Sequence, residues 1–533
     1  MELVYSKPMD HLGLVAGMID ELKIVQTVDN YIDQDLKQRN LSIGECVKAL
    51  ILNGLGFVNY QLYLVSEFYE NKSIEILFGR DIDASMFNDD VLGRALDSLY
   101  ESGVSYLFTK ISSVVCKELN IGDQTYHIDG TSFHLHGKYE AYGDDTNVIE
   151  VVQGYSRDFH PELNQVVLDL IASNSSGIPL AMKPLSGNSS DKKDFPKIIK
   201  EFISNLKYQE VEKLTFIGDS ALYTSNTLEM FPEGMKFISR VPENIKEVKN
   251  IYKNIDKKAF VEIDDNYSYA EFESEYGGIK QRWIVIDSSA AYTKKRVTFR
   301  KNLKKKVEAE TKSFESLQKR SFACDTDALN EAKIFFNKCN WISGLNITTK
   351  EDITYVSKGR PTENSSTKKS YTIQAEIIMD EEKVKNEESK LGYFVLATNH
   401  LDKYSAQEIL KLYKDQGIVE RGFRFLKDNT FLASSMFLEK PQRIEALLFI
   451  MTLCLTVYSA IEYKVRREMK EKGVTYKNQV KKEVQNPTAK WIFYNFTGVH
   501  VLYMEGKRQM LNLNKERLKI IRLLGNNYKT YYT

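Results

Sequence analysis

Cysteine is scarce in this 533-residue chain. Its five cysteines, at positions 46, 116, 324, 339 and 454, form no CxxC pair and no even framework. That excludes a disulfide scaffold and a cysteine-rich zinc site, and leads us to expect a reducing cytoplasm. An excess of one charge is also missing: Lys+Arg and Asp+Glu both number 73. Nucleic acid would therefore have to be held by local patches, not by a basic field over the whole molecule. No long membrane-spanning run stands out. The most apolar stretch, Ala446–Ile461, has sixteen residues between Glu445 and Glu462, whereas a spanning helix wants about 20. A buried core helix, and no membrane partner, is the expectation. MELVYSKPMDHLG lacks the basic-then-apolar pattern of a signal peptide. Neither an HExxH nor an internal repeat is present.

What is present suggests several domains, with 42% hydrophobic residues to fill their cores. Residues 1–118 read as helical. Ser42 and Glu45 make a capping box before VKALIL, and DDVLGRALDSLYESG and YLFTKISSVVCKEL are amphipathic. Such a region suits a small DNA-binding domain, or a bundle packed on a larger core. From Gln124 the period changes to that of strands. QTYHIDGTSFHLHG, NQVVLDLIAS and IPLAMKPLSG are β-rich, with a Ser-Ser-Gly turn at 175–177 joining the last two as a hairpin. A helix at about 191–206 and the strand KLTFIGD follow. This β-β-β-α-β order is the first half of a ribonuclease H-like layer. Next come strands near 260–287, a charged helical stretch at about 303–340, a polar break at 358–369, and the strand GYFVLATN. Ser405 and Glu408 form a second capping box, followed by an apolar helix at 442–463 and a basic, aromatic C-terminal region.

Two aspartates sit at the ends of apolar, strand-like runs: Asp129 in YHIDGTSF and Asp219 in LTFIGDSALYT. A third acid, Glu420, lies in YKDQGIVERGFRFLK, 201 residues after Asp219. Strand ends are rigid and converge, and a facing helix can complete a carboxylate set for hard cations. Two such ions about 4 Å apart can activate a nucleophile and stabilise the leaving oxygen of a phosphodiester. If the segment is one helix, Tyr413, Gln416, Glu420 and Lys427 fall within roughly 60° of one another, with Arg424 beside them. That face would set a metal ligand next to phosphate-binding groups. An ordinary amphipathic helix with solvated charges fits the same residues.

Longer motifs carry a resemblance. HLGLVAGMIDEL, ALILNGLGFVN, NDDVLGRALDSLYESG, HIDGTSFHLHGKY, GYSRDFHPELNQVVL, GNSSD, DSALYT, SRVPEN, YKDQGIVERGFRFLKD and PQRIEALLFIMTLCLTVYS occur in this order. Together they resemble a bacterial insertion-sequence DDE transposase of the Tyr-Arg-Glu-Lys group, the insertion-sequence-four superfamily, in its insertion-sequence-sixteen-thirty-four branch. The resemblance implies an α/β ribonuclease H-like core in two parts, 119–245 and 392–465. It implies a mixed β/α insertion domain at 246–391, an N-terminal all-α domain at 1–118 and a helical, basic C-terminal region at 466–533. Asp129, Asp219 and Glu420 are implied as catalytic ligands of Mg²⁺ or Mn²⁺, two ions in all. Tyr413 and Lys427 are implied as phosphate contacts. Gln416 stands where the signature has Arg, so it can hydrogen-bond a phosphate without neutralising it; Arg424 is the expected substitute. The implied reaction is hydrolysis at each element end and attack by the freed 3′-hydroxyl on target DNA. The implied partners are double-stranded DNA and a second copy of the chain, in the nucleoid-associated cytoplasm of a bacterium. A transposon-derived DNA-binding protein that no longer cuts, or a nuclease without strand transfer, are the alternatives.

Other groups invite a role. TKKRVTFRKNLKKK holds Lys294, Lys295, Arg296, Arg300, Lys301 and Lys304, which could follow a DNA backbone or simply be a solvated helix. KYEAYG, Trp283 and Trp341 are candidates for stacking on a base, or core residues. His127, His134 and His136 lack zinc spacing. Gly187, Asn188 and Asp191 in GNSSD read as a turn capping the next helix, or as part of the site.

Overall fold

A computed structural model describes residues 4–35, 37, 39–57, 60–137, 139, 148–156, 159–206, 211–355, 367–428 and 438–533. The chain forms two compact units. The first takes Met1–Arg240, Glu275–Gln281 and Thr398–Thr533; the second takes Val241–Ser274 and Arg282–Ala397.

The first unit opens with strand β1 (Tyr5–Pro8) and helices α1 (Leu12–Glu21), α2 (Ile43–Gly54), α3 (Asp89–Glu101) and α4 (Val104–Leu119). The Ser42 capping box is complete: Ser42 Oγ accepts the Glu45 N–H, and the Glu45 carboxylate accepts the Ser42 N–H. Then comes the sheet, with β2 (Thr125–Leu135), β3 (Asn164–Ser173), β4 (Pro179–Ser186), helix α5 (Asp191–Asn205), β5 (Thr215–Gly218) and β6 (Lys236–Arg240). The five strands lie in the order β4-β3-β2-β5-β6. β2, β3 and β4 are antiparallel, while β5 runs parallel to β2 and β6 parallel to β5. The chain order is the β-β-β-α-β expected from the sequence. Gly177, at φ +68°, makes the turn between β3 and β4. Both faces of β2 and β3 are largely buried, so their sequences run apolar instead of alternating cleanly.

The second unit contains β7 (Val261–Asp264), β8 (Tyr267–Tyr276), β9 (Ile279–Ser288), α6 (Ser289–Gln318), α7 (Asp325–Lys338), β10 (Ile342–Tyr355), β11 (Thr367–Met379) and β12 (Tyr393–Thr398). The order within its sheet is β12-β9-β8-β7, and β10 and β11 form a long antiparallel hairpin. The charged stretch expected at 303–340 is in fact two helices. The first begins much earlier, where Ser288 caps it by accepting the Ala291 N–H. Most of the polar break at 358–369 lies outside the described residues.

The chain returns to the first unit with α8 (Ala406–Lys414), α9 (Gly417–Leu426) and α10 (Pro441–Lys472). α10 is long and apolar enough to cross a membrane, but 83% of its most apolar window is buried. It is the hub of the core, touching α1, α2, α3, α4 and β4. Strands β13 (His500–Met504) and β14 (Lys507–Leu511) and helix α11 (Lys515–Leu524) follow.

Two expectations need correction here. The N-terminal region is not all helical, and the C-terminal region is not simply helical, because β1 pairs antiparallel with β13 in a sheet of order β1-β13-β14. Glu505 and Gly506, both at positive φ, close the β13–β14 hairpin. The two chain ends also pack on each other. A Cβ on Gly17 of α1 would lie 2.7 Å from the Tyr528 ring, and Tyr528 donates to Glu21 at 2.7 Å.

Candidate active site

Asp129 lies mid-way along β2, opposite Leu170 on β3. Its Oδ1 accepts the Gly130 N–H at 2.8 Å. Asp219 follows the last residue of β5, and its Oδ1 accepts the Ala221 N–H at 2.8 Å. Ser239 on β6 donates to the Asp219 carbonyl at 2.7 Å and so ties the two strand ends together. Glu420 projects from α9 and is exposed. All three carboxylates line one open cleft of about 940 Å³, together with Asn188, Asp191, Arg424 and Lys427. Lys427 Nζ sits 5.9 Å above the Phe133 ring; Phe133 is four residues beyond Asp129, so it lies on the same face of β2. The cleft thus sets two strand-borne aspartates opposite a helix that brings Glu420 together with Arg424 and Lys427.

The Tyr413–Lys427 segment is not one regular helix. α8 ends at Lys414, and the chain tightens through Asp415 and Gln416 before α9 begins at Gly417. Ile418 N–H donates to Asp415 O at 2.8 Å and Val419 N–H to Gln416 O at 3.0 Å, both i→i+3 bonds. The tighter turn shifts the phase, so the single-helix face does not hold across it. Gln416 is 7% exposed and is not among the cleft residues; the structure buries it instead of presenting it to a phosphate. Tyr413 also stands back from the cleft. Burial holds its hydroxyl pKa above the ordinary value; the nearby Asp219 and Glu420 carboxylates push the same way, and the Arg240 guanidinium, which hydrogen-bonds it, opposes them.

Arg240 had no assigned role in the sequence, although it lies inside SRVPEN. A second group also escaped notice. Gln165 of β3 is 1% exposed, and its Nε2 donates to Gly187 O at 2.7 Å and to Tyr155 O at 3.3 Å. Gly154 and Gly187 meet at that point: a Cβ on Gly154 would fall 1.9 Å from Gly187 O, and one on Gly187 would fall 2.1 Å from Gln165 O. Gly154, Tyr155 and Asn188 line the cleft, so this contact builds its wall. The GYSRDFHPELNQVVL and GNSSD motifs were the only sign of it.

The basic run 293–306 belongs to α6 in the second unit. Lys295 pairs with Glu243 at 3.2 Å. Arg296 Nε reaches Glu388 at 2.5 Å, and Arg300 grips the same carboxylate. Lys294, Lys301 and Lys304 are exposed. Trp283 is 1% exposed in the core. Trp341 is half-buried and packs on Phe299 with Lys306 4.6 Å over its ring. Of KYEAYG, only Tyr139 lies among the described residues. His127 is buried and bonds Asn174 at 2.7 Å, and burial lowers its pKa. His134 bonds Ser156 at 3.0 Å.

Residues 122–457, well over half of the chain, match the family model described as a transposase DDE domain. The chain belongs to the DDE transposase family. Membership implies a polynucleotidyl transferase or nuclease that acts on DNA. Residues 4–113 match a domain of unknown function. A search of curated proteins finds no match. Among solved structures, a piggyBac transposase synaptic complex with hairpin DNA is similar at 9% identity and a TM-score of 0.39, over 92% of this chain and 81% of that one. At that distance the likeness carries no weight for this chain.

The donor set of this transposase is all oxygen, which suits a hard cation of the Mg²⁺ or Mn²⁺ kind. Its spacing is looser than its chemistry. Among the described residues, no three His, Cys, Asp or Glu side chains stand close enough to hold an ion. One oxygen of each aspartate is already fixed by a backbone N–H, and Glu420 is the exposed member.

Proposed function

We propose that this transposase cuts both ends of an insertion sequence and joins the freed 3′ ends to target DNA. Water adds to the scissile phosphorus, and the 3′-oxygen leaves and takes up a proton; that 3′-hydroxyl then attacks a target phosphodiester, forming a new P–O bond as the target's own 3′-oxygen leaves and takes up the hydroxyl's proton. Asp129, Asp219 and Glu420 would hold two divalent ions, which when bound supply nucleophile activation and leaving-group stabilisation. Arg424 and Lys427 hold the backbone phosphate at the cationic side of the cleft. Tyr413, bonded by Arg240, lies close enough to feel Asp219 and Glu420 and would help to position them. The reading extends to a homodimer on two inverted repeats, in the bacterial cytoplasm, within the insertion-sequence-sixteen-thirty-four branch.

One observation carries this: three acids from β2, the end of β5 and α9 line a single cleft, although 90 and 201 residues separate them in sequence. The test is incubation of a duplex carrying the element's terminal repeat with MgCl₂, read on a denaturing gel. Cleavage at the repeat boundary that EDTA stops, and that Asp129→Asn, Asp219→Asn and Glu420→Gln each abolish, supports the proposal. Undiminished cleavage by those variants overturns the assignment. The loose spacing of the acids favours a second reading, a DNA-binding protein that does not cut. Duplex binding without cleavage in Mg²⁺ or Mn²⁺ would identify it, and cleavage without joining would identify a plain nuclease.

A further inference from the structure

The N-terminal part of the first unit contains a recess of about 550 Å³ whose lining shares no residue with the catalytic cleft. Arg39, Asn40, Ser85, Asn88 and Arg94 supply its polar groups, and Leu41, Met86 and Val91 its apolar wall. Among the described residues, no carboxylate lines it, and neither Arg39 nor Arg94 makes an ion pair. Two acids nearby in sequence are engaged elsewhere. Glu45 is held by Arg80 at 2.7 Å, and Arg80 also donates to Asn40 O. Asp83 accepts the Ser85 N–H and hydroxyl at 2.8 and 2.6 Å.

α3 carries Asp89, Asp90, Arg94, Asp97 and Glu101. Asp97 takes a two-pronged bond from Arg443, 2.7 Å on each arm. Asp97 is the main cause of that guanidinium's raised pKa, with Asp90 and Asp89 adding to it. Gly93 lies on this face too, because a Cβ there would meet Arg443 at 2.8 Å. Val91 and Arg94, three apart, share the face that lines the recess. Asp97 is thus bonded to Arg443, Asp89 and Asp90 are exposed in the first turn, and Arg94 lines the recess.

Two guanidiniums with amide and hydroxyl donors and no acid make an anion site, and the guanidinium fork matches phosphate oxygens. We infer that this recess holds a backbone phosphate of duplex DNA. The inference rests on the transposase reading above and gives residues 4–113 a part in it. It also answers the neutral net charge: with no field over the whole chain, phosphate must be held at built points of this kind.

The test uses the full chain and a 30-base-pair duplex of arbitrary sequence, since a phosphate contact is indifferent to sequence. Binding is followed by fluorescence anisotropy across a salt series. Arg39→Gln with Arg94→Gln should reduce the slope of log K against log salt by about 0.9 for each phosphate no longer neutralised, and weaken binding about tenfold at moderate salt. Arg39→Lys with Arg94→Lys should keep most of the slope, which separates lost charge from misfolding. An unchanged slope and affinity in the folded Gln pair, while the wild type binds, overturns the recess alone. No duplex binding by the wild type overturns both the recess and the transposase reading. Tight binding of inorganic phosphate that the Gln pair abolishes, with the DNA slope unchanged, assigns the recess to a small free anion and overturns the duplex.

Discussion

Gln165 Nε2 lies 2.7 Å from the carbonyl oxygen of Gly187 and ties the buried strand β3 to the wall of the acid-lined cleft. Replacing Gln165 with Leu leaves that buried carbonyl unpaired, at a cost of about 1–3 kcal/mol. Gly187→Ala is harsher, because its Cβ would meet backbone oxygens at 2.1 and 2.4 Å, and backbone cannot step aside as a side chain can. Both variants should unfold earlier in urea and lose DNA cleavage at least about tenfold, a barrier change of roughly 1.4 kcal/mol, with Gly187→Ala the worse. Unchanged cleavage by Gly187→Ala would show that the wall has no bearing on the reaction.

The Tyr413–Arg240 contact sets a different expectation. Tyr413 does not line the cleft, so Tyr413→Phe should leave DNA affinity within about twofold, less than 0.5 kcal/mol. Asp219 and Glu420 act on the Tyr413 hydroxyl, which Arg240 also bonds; removing the hydroxyl changes the surroundings of those carboxylates, so the turnover rate should fall and the metal requirement shift. Titrating Mg²⁺ against single-turnover cleavage checks this. A pure loss of DNA affinity at unchanged metal dependence would return Tyr413 to the role of phosphate contact.

In the second unit, the cations of α6 fall into two groups. The Glu388 side chain is 7% exposed and is held by both Arg296 and Arg300, whose hydrogen bonds, Arg300's foremost, keep its carboxyl below the usual range. Arg296→Ala with Arg300→Ala should therefore lower the melting temperature, since a shielded carboxylate loses its partners. Lys301→Ala with Lys304→Ala should leave melting unchanged and flatten the salt dependence of DNA binding. Differential scanning calorimetry and a salt series separate the two pairs. The opposite pattern would make the arginines the DNA contacts.

Local signals were legible in the sequence and distant ones were not. The two capping boxes at Ser42 and Ser405 formed, because each closes within three residues. The β-β-β-α-β order could be read from apolar, β-rich runs and from the Ser-Ser-Gly turn that Gly177 makes. The pairing of β1 with β13 joins a four-residue strand to one near the other end of the chain, and no periodicity reports such a partner. The tightening at Asp415 and Gln416 was hidden because a helical wheel assumes one phase throughout. Gln165 looked like one polar residue in an apolar strand; only folding shows that its amide meets two carbonyls. The separations of Asp129, Asp219 and Glu420 gave no hint of a shared cleft, which depends on the parallel placement of β5 beside β2.

Glu445 on α10 carries a further prediction. Burial pushes its carboxyl up to about 7, and Lys183 on β4 only partly offsets this. The native state therefore holds a proton that the unfolded chain releases near the ordinary value of 4.5. With more protons bound in the native state, stability falls as pH rises from about 4.5 to about 7, and the full penalty persists above that. Glu445→Gln removes the titration and keeps the shape. It should gain at most about 3 kcal/mol over the wild type at pH 8, and nothing at pH 4.5. Urea unfolding at the two pH values reads this directly. A gain of equal size at both would mean that packing, not the buried charge, sets the cost at this position.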